Sequence, residues 1–119
     1  MALGTQNDVT LHSGDTLTLE VTVNDSSGSA VDLTAATFTW AMSKKSNSAV
    51  APRGAALLTK ALASGVTLID AATGRIDITL DPADTESLAG TYYHELQMTD
   101  TGVVSTVLYG TVIIKKDLI

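Results

Sequence analysis

Residues 92 to 95 read Tyr-Tyr-His-Glu, four side chains able to carry or hold a proton, inside the stretch LAGTYYHEL of residues 88–96. Converging on one substrate atom, such a set would make a general acid–base centre. On a β-strand they cannot converge, because Tyr92 and His94 face one way while Tyr93 and Glu95 face the other. Leu88, Gly90 and Tyr92 also form L-x-G-x-Y, the pattern of a tyrosine corner, in which a phenol bonds backbone a few residues upstream at a crossover between two sheets. The reading is therefore scaffolding: Leu88, Gly90 and Tyr92 form the corner. His94 is a neutral core residue that packs beside Trp40 and donates one hydrogen bond.

The remaining chemical candidates are weaker. His12 is the other histidine of the chain, at the end of an expected edge strand, and two isolated histidines do not have the spacing of a metal site. No aspartate-rich calcium loop is present. Asp100-Thr101-Gly102 spells the D-T-G of aspartic proteases, but Thr99 precedes it and Val103-Val104-Ser105 follows, so a hairpin turn between two strands accounts for it. No phosphate-binding glycine loop, nucleophile elbow or nucleophile–base pair is visible. The expectation is a protein that is not an enzyme and takes no cofactor or metal.

These residues need strands to hold them, and the strands are visible as period-two alternation. In DTLTLEVTVND, Leu17, Leu19, Val21 and Val23 share a face opposite Thr16, Thr18, Glu20 and Thr22. Phe38, Trp40 and Met42 do the same in TFTWAMS, and Ile76, Ile78 and Leu80 in GRIDITLD. Asp and Gly punctuate the runs as NDSSG, DAATG and DTG, which supply turns. DPADTESL suits a short helical turn near 82–87, with Asp81 as N-cap, Pro82 in the first helical position and Asp84 beside the positive end. The fold class is all-β: an immunoglobulin-like antiparallel β-sandwich of about seven to eight strands with Greek-key order, in a single domain spanning 1–119.

Composition agrees with that class. The chain has 119 residues, 45% hydrophobic and 17% charged, with a single tryptophan and no cysteine. A core filled by aliphatic residues without disulfides is implied. A net charge of -6 argues against nucleic acid as a partner. No signal peptide is visible at the start, and no apolar run is long enough to span a membrane as a helix.

One segment departs from the alternation. Residues 43–56 read as a long, partly flexible basic loop, with a short edge strand near AALLTKAL; Lys44, Lys45, Arg53 and Lys60 hold more than half of the seven basic residues. Lys44, Lys45 and Arg53 are candidates for docking an acidic partner surface. The last run, VVSTVLYGTVII, is apolar on both sides, and Val103, Val107, Tyr109 and Ile113 on its second face are candidates for a subunit interface.

The order of short motifs resembles a known family. Gly14-Asp15-Thr16 precedes the first long strand, Val31-Asp32-Leu33-Thr34-x-Ala36 precedes the tryptophan strand, Asp70-x-x-Thr73-Gly74-x-Ile76 lies between two strands, and Leu88-x-Gly90-x-Tyr92 opens a later strand. From about Gly14 to Lys115 this resembles bacteriophage virion domains of immunoglobulin-like fold, the group that includes the N-terminal domain of the phage baseplate upper protein. The resemblance implies a structural or adaptor protein of the virion, in the tail, baseplate or fibre attachment or decorating the capsid. It implies other phage virion proteins as partners, a homo-oligomer, and a virion location after synthesis in the host cytoplasm. The baseplate upper protein continues into a receptor-binding-protein attachment region, whereas this sequence stops at Ile119. The alternative function is a carbohydrate- or host-surface-binding module, for which Tyr93 and Tyr109 on neighbouring strands would give a small stacking platform.

Overall fold

A computed structural model of the chain describes residues 5–25, 27–46, 49–116 and 118. Nine strands and one helical turn follow in the order β1 (Thr5–Gln6), β2 (Val9–His12), β3 (Leu17–Thr22), β4 (Ala36–Lys45), β5 (Pro52–Leu62), β6 (Gly65–Asp70), β7 (Arg75–Leu80), α1 (Pro82–Thr85), β8 (Gly90–Asp100) and β9 (Val103–Lys115). The hydrogen-bonded path is β1-β9-β8-β4-β5-β6-β7-β3, with β2 also on β9. Between β5 and β6 this path holds by two residue pairs only, Ala61↔Gly65 and Leu62↔Val66. There it folds over into two facing layers. Phe38, Trp40 and Leu96 of the first layer meet Val21, Ile76 and Ile78 of the second in one buried cluster. The protein is an immunoglobulin-like β-sandwich.

Local rules account for most of the elements. β7 alternates half-buried and buried along its whole length, so Ile76, Ile78 and Leu80 enter the core. Its pairing with β3 sets Glu20 opposite Asp77, two like charges face to face. Arg75 relieves them, its guanidinium standing 2.8 Å from Glu20 and 3.4 Å from Asp77. The β8–β9 hairpin turns through Thr101 (φ 49°) and Gly102 (φ 84°), both left-handed, as a two-residue turn matched to strand twist requires. At α1, the Asp84 carboxylate accepts the Asp81 N–H at 2.7 Å, which ties the turn to its own entrance.

Three features differ from the sequence reading. Residues 43–56 are not a loop: β4 continues through Lys45 and β5 begins at Pro52. The period is lost because β5 bulges. Between the pairs Met42↔Leu58 and Lys44↔Arg53, two steps of β4 face five of β5, and this stretch of β5 is exposed throughout. Asn47 and Ser48, in the connection, lie outside the described residues.

Val107 is not on an outer face. Leu96 pairs with Leu108 and Gln97 with Thr106, so Val107 is the extra residue of a second bulge. The bulge inverts the phase of β9 and leaves Val107 and Leu108 both buried in sequence. Tyr109 and Ile113 then face outward. Val103, before the bulge, belongs to the inner phase and is exposed only because the strand is beginning there. Val103, Val107, Tyr109 and Ile113 therefore form no continuous surface.

Finally, the sheet is not wholly antiparallel. β1 and β2 run parallel to β9, from Thr5↔Leu108 to His12↔Lys115, and β5 runs parallel to β6. The first strands of the chain cover the edge of the last.

Candidate functional site

The Tyr-Tyr-His-Glu stretch lies on β8, and its members are divided between the two faces. His94 points inward and is fully buried. Trp40, diagonal to it on β4, donates its indole N–H to His94 Nδ1 at 3.0 Å, with the rings edge-to-face at 68°. An indole nitrogen can only donate, so Nδ1 is the acceptor and the ring proton resides on Nε2. Nε2 then donates to the Asn7 carbonyl at 2.7 Å, in the short connection between β1 and β2. Burial pushes the His94 pKa below its ordinary value, against the Asn7 carbonyl and the Asp8 carboxylate, which favour the charged form. Both nitrogens are occupied in the neutral ring, leaving none to hold a metal or take a substrate proton.

The close approach of Asn7 depends on Gly110 of β9. A Cβ on that residue would collide with the Asn7 carbonyl oxygen. Asn7 N–H donates to the Tyr109 carbonyl at 2.8 Å, and the Asp8 carboxylate accepts the Thr111 N–H at 2.9 Å. The relay Trp40–His94–Asn7 thus joins β4, β8 and the N-terminal strands across the sheet. Nothing in the side-chain sequence marked Asn7, because its contribution is a backbone carbonyl.

Tyr92 donates its phenol to the Ala89 carbonyl at 3.1 Å, three residues upstream at the crossover after α1, with Leu88 packed on the core and Gly90 opening β8. Tyr93 faces out beside Glu95. Burial, then the Glu95 carboxylate and the Tyr109 phenol, push its pKa up to about 12. Tyr93 and Tyr109 are neighbours across β8 and β9, since Glu95 pairs with Tyr109 and Tyr93 with Thr111. Tyr93 is nevertheless only 8% exposed, in a recess lined by Pro52, Gly54 and Ala56 of the β5 bulge. It offers no open ring for a sugar to stack on.

A second ion pair stabilises the corner of the sandwich. Lys60 of β5 crosses to Asp84 of α1 at 2.8 Å, both side chains largely covered. Burial raises the Asp84 pKa, but the Lys60 hydrogen bond, the Asp81 N–H and the Lys60 charge together outweigh it and hold the carboxyl below its usual range. Thr85, fully buried, accepts the Gly14 N–H at 3.0 Å and fastens α1 to the turn before β3.

The cations that are not used this way collect at one end. Lys44 and Lys45 finish β4, Arg53 is the second residue of β5, and the pairing Lys44↔Arg53 sets them side by side. With Ser46, Ala89, Thr91 and Tyr92 they line a cleft of about 410 Å³. β9 leaves the sheet at this same end, where Ile114 pairs with Gly90, so Lys115 and Lys116 add to the group. His12, paired with Lys115, stands beside them. Lys115 and Lys116 had no part in the sequence reading, because only the strand order brings the ends of β4, β5 and β9 together. Among the described residues, none of the five cations has a carboxylate within 4.0 Å, whereas Lys60 and Arg75 are both paired.

The described residues contain no cluster of three potential metal ligands, and no helix among them is long and apolar enough to cross a membrane. Neither a scan of protein families nor a search of curated sequences finds a match. Among solved structures, Tim-1 is similar over 97% of each chain at 15% identity, with a TM-score of 0.47. That likeness carries no functional information; the fold assignment rests on strand order and packing.

Proposed function

We propose that the chain is a structural or adaptor protein of a bacteriophage virion, without enzymatic activity, that works through protein–protein contacts in a tail, baseplate, fibre attachment or capsid decoration. The observation that carries this reading is the division of labour among polar residues. His94, Trp40, Tyr92, Lys60 and Asp84 are engaged in bonds that brace the sandwich, while the cations with no carboxylate partner among the described residues lie at one strand end, where they can meet a partner. The motif order from Gly14 to Tyr92 that resembles phage virion domains supplies the virion context. Its elements fall on turns and on the crossover corner, as befits scaffold residues. The test is peptide mass spectrometry of density-gradient-purified particles from a culture expressing the chain. The expected result is the chain in intact particles at a fixed stoichiometry to the major capsid or tail protein. Its recovery wholly in the soluble, particle-free fraction would sink the proposal.

A further inference from the structure

The end of the sandwich opposite the basic cleft is acidic. The turn after β3 and the turn between β6 and β7 are stitched together by Val23 N–H to the Gly74 carbonyl and Leu33 N–H to the Ala71 carbonyl. They bring Asp25, Asp32 and Asp70 to one end. Ala36↔Asp100 places the β8–β9 hairpin, with Asp100, at that end too. Serine and threonine hydroxyls on Asp25 and Asp32 hold both carboxyls below their usual range, so they stay charged. Arg75 is nearby, but its guanidinium is engaged by Glu20 and Asp77.

This end also has a receptacle. A hollow of about 270 Å³ is lined by Val31, Met98, Asp100, Thr101, Val103 and Ser105. Its walls are mostly apolar and a carboxylate stands at its rim. Val103 and Val104 beside it are 48% and 60% exposed. An apolar wall with an acidic rim suits a lysine or arginine, whose methylene stem packs on the wall while the head meets the carboxylate.

We infer that the basic cleft of one copy, formed by Lys44, Lys45 and Arg53, docks on the acidic end of a second copy. The two surfaces lie at opposite ends of β4, β8 and β9, so the contact is head-to-tail rather than two-fold. Repetition closes a ring or continues as a stack, depending on the rotation per step. An unrelated acidic protein could use the same cleft. A second copy is favoured because one chain carries both complementary surfaces, and because the acidic one has a pocket of the right chemistry. This names a head-to-tail contact that the virion reading leaves open, and it does not depend on that reading.

The experiment is sedimentation velocity of the whole chain over a wide concentration range at about 20 mM and about 300 mM salt, where screening lengths differ several-fold. At low salt the mass should rise with concentration; at the higher salt it should fall to the single-chain 12.3 kDa. Two variants locate the contact. Lys44→Gln/Lys45→Gln/Arg53→Gln removes the three cations of the cleft. Asp32→Asn/Asp70→Asn/Asp100→Asn removes three of the four carboxylates at the other end and keeps an oxygen acceptor for each turn. Thermal unfolding confirms that both fold. Each alone should stay monomeric, and an equimolar mixture should form a two-chain species and nothing larger, since only one productive contact survives. The inference is overturned by a monomeric parent at low salt, by association that persists in both variants, or by a mixture that stays monomeric. Absence from virions would refute the proposed role and leave this contact standing; a monomer would refute the contact and leave the role.

Discussion

The same two strands, β4 and β8, carry polar groups under opposite conditions. At their middle, Trp40 and His94 are fully buried, neutral and completely bonded, the last acceptor being the Asn7 carbonyl. Four and five residues beyond Trp40, Lys44 and Lys45 are charged and have no carboxylate within reach among the described residues. A buried polar group without a partner is costly, so the middle of the sheet had to finish its hydrogen bonding internally. A cation at a wet strand end bears no such cost and can remain unsatisfied until another surface arrives. The difference separates residues that hold the fold from residues open to contact, and it does so by bonding state rather than residue type.

The comparison can be broken most forcefully at the relay. His94→Ala leaves the Trp40 N–H and the Asn7 carbonyl without partners and opens a cavity. It should cost about 3–5 kcal/mol by chemical denaturation; a loss under about 1 kcal/mol would mean that the relay is incidental. The parent protein should also show the relay in its pH dependence. The folded His94 pKa lies below the ordinary 6.5, so on acidification the unfolded chain takes up this proton first. Stability is then full above about pH 6.5 and declines as pH falls through 6.5 toward the folded value. His94→Leu should remove that decline between about pH 6.5 and 5, above the carboxylate range.

A smaller effect sharpens the inner side of the comparison. Tyr92→Phe deletes the single bond to the Ala89 carbonyl near the surface and should cost about 1 kcal/mol, without altering the core spectrum of Trp40. The smallest belongs to the strand end. Lys44→Gln with Arg53→Gln should change unfolding free energy by no more than about 0.5 kcal/mol, measured in dilute solution where the chains are separate. A large loss there would show that these cations brace the fold after all.

Local signals made much of this fold legible. β3, β7 and the first half of β4 alternate cleanly, the aspartate–glycine turns lie where those residues fall, and L-x-G-x-Y marks a corner whose phenol bonds backbone three residues upstream. Two bulges account for what was misread. One inserts extra residues into β5 and erases its period; the other inserts Val107 and reverses the face of everything before it. A bulge is set by the partner strand, so a single run of sequence does not announce it. Long-range partners were hidden for a similar reason. Asn7 meets His94 across 87 residues and Lys60 meets Asp84 across a change of sheet, and neither spacing follows a local rule.

The parallel seam of the first strands on the last has a mechanical meaning. β1 and β2 run beside β9 through six register pairs, Thr5↔Leu108 to His12↔Lys115. Tension applied at residue 5 and at residue 115 pulls these neighbours along their length in opposite directions. Every bond of the seam then bears load together, whereas a hairpin pulled open at its ends yields one bond at a time. Added to this, the Asn7–His94 bond locks the middle of the seam into the core. A sandwich strung by its two ends in this way resists rupture in shear until the whole seam gives at once.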